Sequence, residues 1–510
     1  MADEIRSDIV VIGGGLAGVC AAISAARMGC RVTLAGDRPV LGGNSSSEIR
    51  MWTRGACGAG NLFSEEMGVL GELKLRNLQT NPYGNVIYWD EILLDGILAE
   101  ENITLLLNTH ITDVEMNDDI ILSVHGFQLG SEREYCLRAK MFIDCTGDGT
   151  VATAANVPYR VGEESRTQHG ERYAPVQKSR NTLGSSILYY TKKLDHPVPF
   201  IAPEYIHGMD FVEKIINHGG HIVDEKQNGS DYWWFEYGGA MDTIRDAQEI
   251  NLELKKLALG VWNYIKNSGK FDADNLTLEW IGNIAGKRES RRMITDYVLT
   301  QVDILENRHF EDNAFYGGWY LDFHPSEGVY SKEKSCTQIP VRTYAIPIRT
   351  LFNSIRPNLL VGGRIIGTTH AAFTSSRIMD TCALSGQAAG TLAAFCIRNR
   401  QTPAEQAEKN IQNIQQQLLK DDMLIIGERN RDPEDLARTA EITASSFITR
   451  FSPKPAGLFP LEQDAFVNFP LPKGTKQVKV LIDSKQDCTL HIDMFTSPLP
   501  SRLCPGTFLS

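Results

Sequence analysis

The residues of this 510-residue chain best suited to chemistry stand near its start, where Gly13-Gly14-Gly15-Leu16-Ala17-Gly18 follows the β-branched run Ile9-Val10-Val11-Ile12 and leads into an alanine-rich stretch ending at Ala26. A strand, a glycine turn and a helix start in that order make a cradle for a diphosphate. Gly13 permits the tight turn, Gly15 lets phosphate approach the backbone, and Gly18 lets the helix lie close on the strand, with the helix's unpaired N–H groups facing the anion. Arg31-Val32-Thr33-Leu34 supplies a second strand, so the βαβ unit has the length that dinucleotide binding requires. A carboxylate at the end of that second strand commonly takes the ribose hydroxyls. Gly36 stands at the expected position and Asp37 one residue later, which makes Asp37 the candidate.

Other stretches carry residues of the right types. The loop Arg38 to Arg50 contains Gly42, Gly43, Asn44 and Ser45, which offer backbone and hydroxyl donors to an extended ligand, although a plain surface connection has the same composition. Cys145 to Ala152 repeats a G-x-G-x-x-A pattern. The segment after it reaches Pro158 too soon for a crossover helix, so Thr146, Gly147 and Asp148 are expected to return to the first ligand. Trp52 and Arg54 precede the small residues Gly55 to Gly60, which allow close backbone approach. Asp231 to Gly239 concentrates aromatic surface, including Trp233 and Trp234, beside a carboxylate. Such a face stacks on sugars or rings, and a buried core strand has the same look. Gly286 to Arg292 holds Lys287, Arg288, Arg291 and Arg292, an anion-binding cluster or, as charge runs more often are, a solvated face.

Elements must position these groups. Helices are expected over Glu65–Asn77, Trp89–Glu101 and Thr243–Asn267, the last with Leu252, Leu259 and Trp262 as core contacts. Two more follow, one holding Gly386-Gln387-Ala388-Ala389-Gly390 and running to Asn399, the other an amphipathic helix over Ala404–Lys420. A strand at Ile103–Leu107 precedes a hairpin over Ile111–Val124 that breaks at Asn117-Asp118-Asp119 and closes with Lys140–Ile143. Between Tyr159 and Lys334 the β/α alternation gives way to polar loops and aromatics, and strands return at Val341–Ile348 and Asn358–Arg364. The expected fold class is α/β: a Rossmann-type domain from residues 1–158 and 335–430, an inserted α+β substrate domain over 159–334, and a small β-rich segment over 431–510 with strands at Val478–Ile482 and Thr489–Ile492.

Composition bounds the partners. A net charge of −12 repels phosphate backbones and anionic lipid, so neither nucleic acid nor a membrane surface is an expected partner. The uncharged run Ile9–Ala26 imitates a membrane span, but Asp3 and Glu4 precede it and its glycines fit a strand–helix break better, so a cytoplasmic protein is expected. Ten scattered cysteines without a C-x-x-C pair suit reduced thiols and no structural metal.

With its motifs in this order the chain resembles the FAD-dependent oxidoreductase family of the glutathione reductase superfamily, particularly bacterial members found beside carbohydrate-degradation genes. The resemblance runs from Ser7 to Gly427 through the glycine turn, Leu41-Gly42-Gly43, Asp144 to Gly149, Arg288 to Arg292, Asn358 to Arg364 and Arg377 to Gly390. Gly36 departs from the acidic residue usual in the family. The resemblance implies an FAD held by Gly13, Gly15, Leu16, Ala17 and Gly18 at the pyrophosphate, with Asp37 and Arg38 beside them and Ile111 near adenine. Gly42 and Gly43, with Asn44 and Ser45, fall near the ribityl and flavin end. Further contacts are Thr146, Gly147, Asp148, Gly363, Arg364 and the turn Gly386-Gln387-Ala388. It also implies hydride transfer between flavin N5 and a small organic substrate, with Arg377 and the start of the helix holding Gly386 stabilising charge on the reduced ring, and His370 or His324 as general base. Arg50, Trp52, Trp233, Trp234 and Arg291 are the candidate substrate contacts. No second nucleotide unit is present, so a separate electron acceptor is expected. The substrate reading is a sugar or glycoside. Alternatives are a succinate- or fumarate-type flavoprotein using its arginines, or a non-catalytic flavin- or glycan-binding module.

Overall fold

In the computed structural model, which describes residues 2–56, 64–219, 221–225 and 229–445 together with 477, 487, 489, 491, 494–496 and 507–509, Ile9–Ile12 is the middle strand of a five-stranded parallel sheet. The order is Leu359–Val361, Met141–Asp144, Ile9–Ile12, Val32–Ala35 and Ile103–Leu106. Parallel strands are covered on both faces, so their side chains are apolar without alternation. Every residue of Ile9–Ile12, Val32–Ala35 and Met141–Asp144 is accordingly buried.

Two helices cover one region of this sheet through mutual contact. Leu16–Arg27 lies against Met379–Asn399 so closely that a Cβ on Gly386 would stand 1.9 Å from the Ala17 carbonyl oxygen, and one on Gly390 2.3 Å from that of Ala21. Gly386→Ala is therefore expected to push the helices apart and cost about 1–3 kcal/mol, the usual range for overpacking. An unchanged melting temperature of the holo-protein would refute that contact.

A second sheet pairs Asp3–Arg6, Arg133–Arg138, Ile120–Gln128 and Thr109–Asn117 in that order. The hairpin turns at Asp118, with φ +51°, as its asparagine and aspartate signal requires. Its third strand is Arg133–Arg138, not the expected Lys140–Ile143, because Met141–Asp144 is claimed by the parallel sheet. The expected helix over Ala404–Lys420 is two, Pro403–Lys409 and Ile411–Lys420. The break falls at Asn410, whose side chain donates to Gln401 and whose backbone leaves the helical region at φ −130°.

A separate apolar core gathers Tyr189, Tyr232, Trp234, Phe235 and Trp262 with the helix Ala247–Asn267. Leu259 and Trp262 are buried there, whereas Leu252 is 49% exposed on the helix's outer face. Residues Met293 to Leu321 pack instead with the parallel sheet. The chain divides into two compact units, Met1–Asn430 and Arg431–Ser510. Described parts of the second include the turn Leu436–Arg438 and the antiparallel pair Met494–Thr496 with Thr507–Leu509. The expected strand Val478–Ile482, the residues Leu490 and Ile492, and the small run from Cys57 to Gly60 lie outside the described residues. Among the described residues no helix is long and apolar enough to cross a membrane, and the cysteines are free.

Candidate functional site

The carboxyl ends of the parallel strands open into a cavity of about 750 Å³ in the first unit, the place where open α/β sheets bind ligands. The glycine turn forms one wall. Gly13 has φ +112°, and a Cβ there would meet the Cys145 carbonyl oxygen at 2.2 Å, so the turn admits only glycine. A Cβ on Gly15 would meet nothing within 4 Å, which leaves that backbone open to the cavity. Gly18 faces the strand, where a Cβ would lie 1.8 Å from the Gly13 carbonyl oxygen. Gly42, at φ +102°, donates its N–H to the Gly14 carbonyl oxygen at 2.8 Å and lays the following loop along the same wall. Asp144, fully buried, shapes the opposite wall by accepting from the Thr146 N–H at 3.0 Å, the Thr146 hydroxyl at 2.7 Å and the Ala152 N–H at 2.8 Å.

Two helices begin on this cavity. Leu16–Arg27 presents Leu16 and Ala17, and Met379–Asn399 presents Met379 and Cys382; the residue preceding each helix, Gly15 or Ile378, supplies no side-chain cap. Uncapped helix starts favour negative charge. With the open Gly15 backbone they fit the diphosphate and the electron-accepting ring of an FAD.

Of the residues singled out in the sequence, the cavity wall gathers Gly13, Gly15, Leu16, Ala17, Asp37 and Arg38. Gly42, Gly43, Asn44, Thr146, Gly147 and Asp148 line it too, as do Gly363, Arg364, Arg377, His324, Trp52 and Trp233. Asp148 holds Lys287 at 2.6 Å and Ser290 at 2.7 Å; burial opposes its charge, but Lys287 and Arg364 keep its carboxyl below the usual range. The others lie elsewhere. Ser45 donates to the Gly42 carbonyl oxygen and accepts from the Trp89 indole. Ile111 packs within the second sheet against Gly126. Gly386 and Ala388 are buried in helix packing, and Gln387 accepts the Val69 N–H at 2.9 Å. Arg50 lies over the Trp280 ring at 4.3 Å, Trp234 stacks on His221 at 4.1 Å, and Arg291 donates to Thr153. His370 is turned to Glu289, with Nδ1 3.0 Å from its carboxylate.

The end of the cavity carries a chain of charges. His324 Nδ1 lies 2.7 Å from Glu236 Oε2 and Nε2 lies 3.1 Å from Asp322 Oδ2. Arg377 reaches Asp322 at 3.2 Å, Arg288 lies 3.5 Å from Glu236, and the Trp233 ring meets His324 edge-on. A neutral imidazole owns one N–H, yet both ring nitrogens here face carboxylate oxygens, and although Arg377 Nη2 also lies 3.3 Å from Nε2, the two carboxylates favour the imidazolium. Burial works against that charge, but Glu236 and Asp322 raise the His324 pKa above its ordinary value. The general base expected at His324 is thus a proton holder whose lone pairs are spoken for. Burial likewise opposes the charge on Asp322, while His324 and Arg377 hold its carboxyl well below the usual range.

Sequence reasoning missed Asp322, Glu236 and Arg288 as parts of this end. Asp322 and His324 are two residues apart at the edge of the strand Leu321–Phe323, and that spacing puts both on one face. The spacing was a readable signal. The cation run Lys287 to Arg292 is largely buried rather than solvated: the Arg292 side chain is 0% exposed and Arg288 donates to Ser186 and the Trp233 carbonyl. Among the described residues no cluster of His, Cys, Asp and Glu is arranged for a metal ion.

No curated protein matches the chain. Among solved structures it is similar to a geranylgeranyl bacteriochlorophyll reductase-like protein from Thermoplasma acidophilum, at 14% identity over 82% of this chain and 88% of that one, TM-score 0.35. It is similar to p-nitrophenol 4-monooxygenase PnpA from Pseudomonas putida, at 12% identity over 86% and 92%, TM-score 0.36. The E. coli quinol fumarate reductase FrdA matches at 13% identity over 82% and 75%, TM-score 0.31. Likenesses this distant carry no conclusion about substrate. The model of one family, described as FAD dependent oxidoreductase, matches residues 8–418, and the chain belongs to that family.

Proposed function

We propose that this FAD-dependent oxidoreductase acts on a small polar organic substrate held at the Glu236–His324–Asp322 end of the cavity. FAD, when bound, supplies the two-electron acceptor or donor at N5. The chain's own residues do the rest. The observation that carries the reading is the placing of His324 on the cavity wall between Asp322, also on the wall, and the buried Glu236 behind it, with Arg288 and Arg377 beside them. His324 holds a proton next to the reacting atoms, Arg377 and Asp322 orient the substrate, Glu236 positions His324 from behind, and the Trp233 edge keeps the ring from turning. The segment between Tyr159 and Lys334, which contributes Trp233, Asp322 and His324 to the cavity wall, is assigned as the substrate-binding part of the enzyme.

The lead substrate class is a sugar or glycoside. Trp52, Trp233 and Trp319 offer ring faces, and Asp231 and Asp322 accept hydroxyl groups along the same cavity. The second reading, a dicarboxylate, is favoured by Arg288 and Arg377 at the same end. Membership in an oxidoreductase family removes the non-catalytic binding module. With one nucleotide cradle identified, a separate electron acceptor completes turnover. Anaerobic bleaching of the flavin across sugars, glycosides and dicarboxylates tests the proposal, and a yellow protein that none of them bleaches would defeat both classes.

His324→Gln is expected to keep FAD and slow bleaching about 10²- to 10⁴-fold, the size of a lost proton-transfer group. In the wild type the rate should hold through the ordinary imidazole range and fall as pH rises through the raised His324 value. Rapid-mixing traces against pH read both effects, and a rate in the variant equal to wild type would remove His324 from the mechanism.

A further inference from the structure

Glu66 and Asp380 form a buried carboxyl pair at the start of the helix Met379–Asn399, 1% and 2% exposed. Asp380 lies between Met379 and Cys382, both on the cavity wall. Glu66 Oε1 accepts the Ala56 N–H at 2.8 Å and the Thr381 hydroxyl at 3.2 Å. Asp380 Oδ2 takes the Lys74 ammonium at 2.5 Å, while its Oδ1 has no partner. Among the described residues Lys74 is the only cation bonded to the pair. Two carboxyls and one ammonium cannot all stay charged in so buried a place without an unbalanced negative charge.

We propose that the Glu66–Asp380–Lys74 cluster is a proton store linked to the flavin, taking up one proton when FAD is reduced and releasing it when FAD is reoxidised. The proton rests on Glu66, because Lys74 compensates Asp380. Burial first, and then the Asp380 charge, push Glu66 up to about 8. Other groups facing the pair do not supply the missing charge. Tyr316 and Tyr344 are pushed up by burial and stay neutral, Glu65 adds negative charge, and Arg54 is bonded to Asp380 only through its carbonyl oxygen, which accepts the Asp380 N–H at 3.0 Å, its guanidinium acting on the carboxylate only through space. Burial does most to push the Cys382 thiol up and Arg364 and Arg377 oppose it, but Asp380 and Glu66 add to the rise, so the field of the pair reaches the cavity wall.

An FAD bound with its ring at this helix start would gain negative charge there on reduction. That charge and an ionised Glu66 repel, so reduction raises the Glu66 pKa, and by reciprocity protonation of Glu66 raises the flavin potential. The sign follows. Well below pH 8 Glu66 is protonated in both states and no extra proton moves; above it, reduction draws one in.

The test uses the holoenzyme and needs no substrate, so it stands apart from the choice of substrate class. Dye-equilibrated titration of the flavin midpoint potential on both sides of pH 8 should show a steeper fall above the break, by one proton per two electrons. Glu66→Gln should lose the extra proton, and Lys74→Gln should move the break to higher pH. Infrared difference spectra of the photoreduced wild type should gain a protonated-carboxyl band above the break. Equal slopes in wild type and Glu66→Gln overturn the proposal, and so does a wild type without the infrared band, which decides the matter if Glu66→Gln does not retain FAD.

Discussion

Gly15→Val is expected to yield a folded protein that purifies colourless. Gly15 has φ −70° and ψ 175°, an extended backbone that valine adopts without strain, and its Cβ would meet nothing within 4 Å. The chain therefore tolerates the side chain. The cofactor does not, because the isopropyl group occupies the space through which the diphosphate reaches the backbone. Charge-assisted hydrogen bonds contribute about 1.5–3 kcal/mol each, so losing two weakens FAD binding by roughly 100-fold or more. Gly13→Ala makes the contrast: at φ +112°, with the Cys145 carbonyl oxygen 2.2 Å from the added carbon, it should damage the fold itself. Flavin absorbance after reconstitution, read beside thermal melting, separates the two. A yellow Gly15→Val protein would mean that the diphosphate lies elsewhere.

Glu289→Ala is the second large effect, and it falls on stability. Glu289 is 0% exposed, accepts the Leu183 N–H at 2.9 Å, faces His370 Nδ1 at 3.0 Å and lies 3.6 Å from Nε of the equally buried Arg292. Glu164, 3.1 Å from Arg292, cannot replace it at His370 Nδ1. Removing one partner of a buried charge cluster costs about 3–5 kcal/mol, since His370 loses its nearest counter-charge and Arg292 is left with Glu164 alone, neither regaining water. The pH dependence has two limits. Burial opposes the Glu289 charge, but His370 and Arg292 lower its pKa, so its contribution is complete above the ordinary carboxylate range and fades as pH falls through the lowered value. Burial lowers and Glu289 raises the His370 pKa, and the raising wins, so that contribution is complete below the ordinary imidazole range and fades as pH climbs through the raised value. The variant should thus lag the wild type most between those limits in denaturant unfolding. A loss below about 1 kcal/mol would mean that the Glu289–His370–Arg292 cluster contributes little to stability.

What could be read from the chain was what a few neighbouring residues decide among themselves. Gly13, Gly15 and Gly18 were legible because a turn, a ligand approach and a helix contact each limit one backbone position. Asp118 marked the hairpin tip for the same reason. Partners across the chain were not legible. The hairpin's third strand, the burial of Arg288 and Arg292, and the bond from Glu236 to His324, 88 residues away, all depend on which distant segment arrives. Gly386 is instructive: its small size announced a close approach, read from the sequence as one to the cofactor, and the group that a side chain there would meet is the backbone of Ala17. The charge run Lys287 to Arg292 looked solvated because, apart from Glu289 within it, its carboxylates, Asp148, Glu164 and Glu236, lie far off in sequence.

The strand order of the parallel sheet also bears on how the molecule is made. Met141–Asp144 pairs on one side with Ile9–Ile12 and on the other with Leu359–Val361. While the ribosome is still translating the intervening two hundred residues, that strand has a bare edge, the kind of surface on which growing chains stick to one another. The nucleotide half of the cradle can fold early, but the helix start at Met379 arrives last of all the walls. The cradle as a whole therefore closes only after the segment carrying Leu359–Val361 and Met379–Asn399 has been made, and until then the exposed strand edge has no partner within the chain.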